Sequence, residues 1–430
     1  MAECKEVASE PSSIVFVAIH CGAGQHAPRN DARLITLMEQ ACIVAASSGD
    51  LLDAVCCAIS CLEESGLVNA GLGSALTFDG TVECDASVMT GKGLFGGVGA
   101  LSGVRNPIVV ARQLIVEQTQ AKSLDPSGTE NRGRMSFGRV PPALLVGDGA
   151  RQWALKRSLA PMPSGGVCAE SNSQRWAKYR SWVDSEKPPD KSDVTDTHQP
   201  QRKRKANTVA GPPSTALSRA CRVRDTMDET TVWDTVGVIA VDITGQVAAG
   251  VSSGGVWLKQ SGRLGLVGDT PQRFQAAQFG AGVYAADSKS SLPSVACCAS
   301  GTSRWPQSVS GIGEQVLQSL LAWNCCHQIR RAMPSTQSEE TGTHDDSLGD
   351  ELQKLWQDDT SDMEAGLVAV RVHSADIEFA FAHRTPSMAL AYLCPRKQKK
   401  PKSIVSRQMS DDGKSLVVGG ACFTKPDAIQ

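Results

Sequence analysis

No stretch of the chain reaches the roughly 18 consecutive apolar residues that a membrane-spanning helix requires, so no membrane partner is expected. The opening residues, MAECKEVASEPSS, lack the basic and apolar regions of a secretory signal, and a soluble protein inside the cell is the expectation. Net charge is scarce too: −2 over 430 residues gives no global field of either sign, and no direct nucleic-acid partner is expected. Metal-ligand spacing is also missing. Cys325-Cys326-His327 has no second pair at a convincing distance, so neither a metal nor a cofactor is expected.

What is present is unevenly spread. The 15 cysteines lie in apolar segments of a long chain, not in a short secreted framework. Cys56, Cys57, Cys61, Cys297, Cys298, Cys325 and Cys326 therefore read as small buried hydrophobes kept reduced. Charge is concentrated in two basic clusters, Arg202 to Lys205 and Arg396 to Lys402, each in a Pro-, Gln- or Ser-rich surround. Such a run is a solvated loop or tail, a nuclear-import signal or an anion patch. Import is the expectation for the first cluster, which puts the protein in nucleus and cytoplasm. A polar interval runs from 156 to 231 with little periodicity apart from a helix-like piece around Trp176 and Trp182, and it reads as a long flexible basic loop in one catalytic domain. The core on its N-terminal side spans 14–155.

Hydrophobic period supplies the elements. Ile14 to Ile19 is a short continuous apolar run ending in His20-Cys-Gly-Ala-Gly24, a buried strand followed by a tight glycine turn. Leu34, Leu37, Met38, Ala41 and Ala45, then Ala54, Val55, Ala58, Ile59 and Leu62, recur at helical spacing and predict two antiparallel helices. Strands are expected over 82–88 and 96–102, and a helix from Asn106-Pro107 to about Glu117. Further on, Val236 to Val241 and Val247 to Val251 read as strands around a turn at Thr244-Gly245, and 315–332 as a helix. A meander of strands over 366–372, 377–382 and 388–393 closes the chain. Strands at both ends with helices between them suggest an α+β fold, a four-layer αββα sandwich.

Asp234-Thr235 stands out among five Asp-Thr pairs because a polar stretch precedes it and a β-branched strand follows it. Cleavage before that threonine would free an α-amine titrating near roughly 7.7 to 8.0, able to take the proton of the neighbouring hydroxyl. The dipeptide and strand taken alone fit an ordinary strand opening better.

Thr235-Val-Gly-Val-Ile-Ala-Val-Asp, with Val251-Ser-Ser-Gly-Gly255 and Gly262-Arg-Leu-Gly265, resembles the start of the mature β-subunit in type 2 asparaginases. Those are N-terminal nucleophile hydrolases that cut themselves before a threonine. His20 to Gly24, Asn69 to Ser74, Glu83 to Ala86 and Val98 to Pro107 match the same family upstream, in fixed order. Within it, Val251 to Gly255 and Gly138 to Gly147 look most like the endopeptidase branch, the threonine aspartases (taspases), which cleave proteins after aspartate.

The resemblance implies Thr235 as nucleophile, Asp234-Thr235 as the self-cleaved bond, and residues 1–234 and 235–430 as α and β fragments that stay paired, as a dimer of αβ units. It implies Ser253 as the hydroxyl partner of the nucleophile and Asn69 as an oxyanion stabiliser. Arg263 would grip the substrate carboxylate, Gly22 would shape the autoprocessing turn, and Ser310, Gly311 and Gly313 would bind substrate. Partners are then protein substrates with exposed aspartates, among them nuclear regulatory proteins. An L-asparaginase or isoaspartyl dipeptidase on the same machinery, or an inactive nuclear scaffold, are the alternatives. Taken singly, Ser253 also reads as turn chemistry, Asn69 as left-handed backbone and Arg263 as a solvated charge. Extra segments at 266–274 and 301–309 depart from the taspase pattern, and Asp269 in the first is either an amine anchor or a passenger.

Overall fold

In the computed structural model, the residues described are 12–123, 139–159, 161–163, 165–185, 235–264, 282–288, 292–301, 319–331, 347–358, 364–409 and 415–425. The fold is a mixed α and β structure built around two sheets. Strand β1 (Ile14–Gly24) is buried along its whole length and lies inside the larger sheet. Its side chains divide between two cores, alternating with the pleat except where the register shifts near Ile14–Phe16 and His20–Ala23. Ile14, Val17, Ile19 and Cys21 join the core beneath helices α1 (Asp31–Ala46), α2 (Leu51–Glu64) and α3 (Pro107–Ser123). Val15, Phe16, Ala18 and Ala23 join the core between the sheets. A strand covered on both faces has no polar side, which is why it reads as an unbroken apolar run.

The first sheet also holds β2 (Cys84–Thr90), β3 (Phe95–Leu101), β4 (Leu144–Val146), β5 (Val236–Asp242) and β6 (Val247–Ser253). The second contains β7 (Val283–Ala286), β8 (Ser294–Gly301), β9 (Ala365–Val372) and β10 (Asp376–His383). Late in the chain come β11 (Ser387–Leu393), β12 (Lys402–Arg407) and β13 (Val417–Thr424). Strand order is β12-β11-β1-β5-β6-β2-β3-β4 in the larger sheet and β13-β10-β9-β8-β7 in the smaller. Helices α4 (Gly147–Leu155) and α5 (Glu170–Ser185) follow β4. Helices α6 (Leu321–Arg331) and α7 (Leu348–Asp358) pack their Cys325, Cys326, Leu352 and Trp356 against Cys297, Leu367, Ala369 and Ala380 of the smaller sheet. Between the sheets, Phe16 lies 5.9 Å from Phe379 and 5.5 Å from Phe423, a large apolar payload at one point. Among the described residues no helix is long and apolar enough to cross a membrane.

Three expectations change, and the second basic cluster takes a form that the sequence allowed. The closing meander is divided: β9 and β10 pair in the smaller sheet, whereas β11 crosses to pair with β1. Met388, Leu390 and Tyr392 face the inter-sheet core and Ala389, Ala391 and Leu393 the helices, so β11 needs cover on both sides. The basic cluster at 396–402 is an ordered turn between β11 and β12, with the amides of Lys397 and Gln398 donating to Cys394 O at 2.9 Å each. Within the expected loop 156–231, residues 170–185 form α5, because Asn172, Trp176, Tyr179 and Val183 recur at helical spacing. Cys57 is exposed and Cys61 half-buried on the outside of α2, unlike the other five cysteines of that group. The cluster at 202–205 lies outside the described residues.

Candidate active site

Thr235 immediately precedes β5, whose neighbours β1 and β6 pair with it on either side. The residue is 5% exposed, and its Oγ1 donates to Ser253 Oγ at 3.0 Å. Pairing of Val236 with Ser252 brings the strand start of one hydroxyl to the strand end of the other. Ser253 Oγ also accepts from the Gly255 amide at 3.0 Å, which folds the chain after β6 back over the threonine.

Asn69 closes the next side. Its Nδ2 donates to Gly255 O at 2.7 Å, its Oδ1 accepts from the Ala75 amide at 2.8 Å, and its own carbonyl accepts from the Gly254 amide at 2.7 Å. Its backbone is not among the positive-φ residues, so a left-handed turn is not the reason for an asparagine here. Gly255 is, at φ 64, and a methyl there would come within 3.1 Å of Arg263 Nη1. The Arg263 guanidinium thus lies over the same turn, and Glu83 Oε2 steadies its approach by accepting from the Gly262 amide at 2.8 Å.

On the far side of Thr235, His20 pairs with Gly237 across β1 and β5. Its Nδ1 accepts from the Gly22 amide at 3.3 Å, in a bulge where Gly22 adopts φ 97, a left-handed conformation suited to glycine. Burial pushes the His20 pKa down to about 3, with the nearby Thr235 main chain offsetting part of the fall. Among the described residues, Nε2 nevertheless makes no hydrogen bond of ordinary geometry. The imidazole is therefore neutral at physiological pH. The structure thus brings together Thr235, Ser253, Asn69, Arg263 and the Gly22 turn. Asp234, Asp269, Ser310, Gly311 and Gly313 lie outside the described residues.

The sequence matches the family described as Asparaginase over residues 14–142 and 132–349, most of the chain and all of these elements. The chain belongs to the type 2 asparaginase family. Its members are N-terminal nucleophile hydrolases that process themselves, which supports hydrolase activity. Similar proteins include the "Plant-type L-asparaginase" of Pyrococcus furiosus, 31% identical over 279 residues, covering 63% of this chain and 71% of that protein. The "Isoaspartyl peptidase/L-asparaginase" of Xenopus laevis is 26% identical over 331 residues, 76% of this chain and 79% of its own. The "Isoaspartyl peptidase" of Escherichia coli is 29% identical over 322 residues, 72% and 74%.

Three groups around this family site escape sequence reasoning. Glu63, in the last turn of α2, is fully buried; its Oε1 accepts from Ser252 Oγ at 2.6 Å and from the Ile108 amide at 3.2 Å. Burial raises its pKa to about 8, the Ser252 and Ile108 bonds opposing that rise, so it holds a proton at neutral pH beside β6, the strand that ends at Ser253. Its one sequence signal is its place four residues after Ile59 on the apolar face. Ser300, near the end of β8, accepts from the Ala23 amide at 3.3 Å. That places Ser300-Gly301 beside the Gly22 turn, whereas the Ser310-Gly311 pair expected to bind substrate lies outside the described residues. The third, Lys259, lies buried on the turn after β6.

Proposed function

We propose that the chain is an autoprocessing threonine hydrolase that breaks bonds at aspartyl groups, with Thr235 as nucleophile. The observation that carries this reading is the Thr235 Oγ1 to Ser253 Oγ hydrogen bond of 3.0 Å, made by the residue that would become the new N-terminus. In the precursor, Thr235 Oγ attacks the Asp234 carbonyl. The C–N bond breaks as the C–O bond forms, and the nitrogen takes the hydroxyl proton. Water then hydrolyses the ester, leaving a carboxylate on Asp234, a restored hydroxyl and a free α-amine on Thr235. On substrate the α-amine accepts the proton, Asn69 stabilises the oxyanion and Arg263 pairs with the substrate carboxylate. The αββα layering of the three apolar cores, nuclear and cytoplasmic residence, and a dimer of αβ pairs belong to the same reading.

The names of the relatives support small substrates best: L-asparagine and isoaspartyl peptides. One feature of this chain supports a protein substrate instead. Asp234 itself occupies the position before the scissile bond, so the precursor offers the site an aspartyl peptide bond, as a taspase-type endopeptidase would require. Mass spectrometry of purified protein tests the shared chemistry: two fragments, 1–234 and 235–430, are expected, and an intact chain overturns it. Incubation with L-asparagine, a β-aspartyl dipeptide and a polypeptide bearing an exposed Asp-Gly bond then separates the readings, because only an endopeptidase cuts the third.

A further inference from the structure

A buried ammonium is costly to desolvate, and a protein keeps one only where its charge and protons are used. Lys259 is 5% exposed, and among the described residues its Nζ donates to two main-chain carbonyls, Ala75 O at 3.0 Å and Gly254 O. Those carbonyls belong to different loops. Ala75 closes the loop opened by Asn69, whose Oδ1 holds the Ala75 amide. Gly254 follows Ser253, and its amide is held by the Asn69 carbonyl. A methyl on Gly254 would strike Asn69 Oδ1 and Ser74 Cβ at 2.5 Å, so the turn packs against the Asn69 loop with no room for a side chain of its own.

The lysine is itself held rigidly. Its carbonyl accepts from the Phe78 amide at 2.7 Å, and Leu258 before it adopts φ 55, a left-handed conformation that leucine rarely takes. Burial lowers the Lys259 pKa, while Cys84, Asp85 and Glu83 oppose the fall and Arg263 adds to it.

We propose that Lys259 is a positioning residue: its ammonium clamps the Asn69 loop onto the Ser253–Gly255 turn, keeping the oxyanion group and the nucleophile in one register. This rests on the roles read above for Thr235 and Asn69. The clamp acts through Asn69, so removing both should cost little more than removing Asn69 alone.

The test uses the full chain with Lys259→Met, Lys259→Gln, Asn69→Ala and the Lys259→Met/Asn69→Ala double variant. Amide hydrogen exchange at Ala75, Gly254 and Gly255 should quicken by about 10-fold or more in Lys259→Met, reporting local opening whether or not the protein is catalytic. Self-cleavage rate and kcat should fall about 10- to 100-fold with KM within about 3-fold, the signature of misplaced groups. Lys259→Gln, which keeps a donor, should recover part of both, and it carries the comparison if Lys259→Met does not fold. Unchanged exchange overturns the clamp even if the wild type proves inactive, a result that would count against the hydrolase reading separately. Faster exchange with unaltered kcat, or losses that multiply in the double variant, also overturn it.

Discussion

Thr235 and Ser253 are 18 residues apart in sequence, yet their hydroxyl oxygens lie 3.0 Å apart, Thr235 donating. Antiparallel pairing of β5 with β6 makes that contact without a long loop, because Val236 faces Ser252 and the two hydroxyls fall at adjacent ends of one hairpin.

Ser253→Ala removes the acceptor while leaving the strand pairing intact. One hydrogen bond of this kind is worth about 1 kcal/mol, so self-cleavage should slow by about 5- to 10-fold, not stop. Thr235→Ala should abolish it. A time course of fragment appearance on a denaturing gel separates the two, and an unaltered rate in Ser253→Ala would show that the contact is incidental.

Much of this arrangement was legible in the chain. Ile14 to Ile19, the Leu34 to Ala45 and Ala54 to Leu62 periodicities, and the strands on either side of Thr244-Gly245 are strong, regular patterns, and each forms the element it suggests. The hydroxyl and amide groups of the site were legible only through resemblance, since Ser253 and Asn69 carry no distinguishing local pattern. Helix α5 was legible only in part, as a helical piece around Trp176 and Trp182, because charged residues dilute its apolar positions. Strand β13, VVGGACFT, escaped because it is a half-exposed edge with two glycines and little alternation. Glu63 and Lys259 escaped for one reason: a charged residue is read as solvated unless its partners are known, and here those partners are a serine hydroxyl and main-chain groups from distant loops.

Glu63 gives the protein a pH signature. Its carboxyl stands near 4.5 in the unfolded chain and about 8 in the fold, so the native state binds the extra proton between those values. The contribution is fully present below the unfolded value and is lost as pH rises through the folded one. Glu63→Gln keeps an acceptor for Ser252 and Ile108 with no charge to bury. Its melting temperature should fall less than that of the wild type between about pH 5 and pH 8, by roughly 5 °C or more. Parallel melting curves across that range would remove Glu63 from the account.

Gly237 offers a steric test of the threonine's other neighbour. A methyl there would sit 2.2 Å from His20 Nε2 and 2.8 Å from Cys298 Sγ, so Gly237→Ala must displace the imidazole or separate the strands. Overpacking of this kind costs about 1–3 kcal/mol, and self-cleavage should slow with it because His20 adjoins the Thr235 main chain. Gly149→Ala, in α4 with nothing within 4 Å, is the control and should be neutral or stabilising by about 0.5–1 kcal/mol. Thermal melts and the fragment assay read both. Equal melts for the two variants would contradict the packing.

Helix α5 reaches the site from the chain before Thr235. Trp176 Nε1 donates to Thr77 O at 2.9 Å, Arg180 Nη1 to Phe78 O at 2.8 Å, and Asn172 Nδ2 to Gly73 O at 2.8 Å, so one helix holds the segment that follows Asn69. Trp176 also packs against the cluster of Leu76, Val82 and Cys84, as does Trp257 on the turn that carries Lys259. Trp176→Ala therefore empties a half-buried site and removes one of two donors to the Thr77 carbonyl, which keeps the Gly80 amide, at about 1–3 kcal/mol of local stability. Because the loosened segment carries the Ala75 amide that orients Asn69, kcat should fall by about 10-fold or more while global melting changes little. Gln174→Ala, exposed on the same helix, should stay within about 0.5 kcal/mol of wild type and keep its kcat. Steady-state kinetics with amide exchange over 73–80 decides the point: a Trp176→Ala enzyme with normal turnover and faster exchange would mean that this helix stabilises the loop without governing the chemistry.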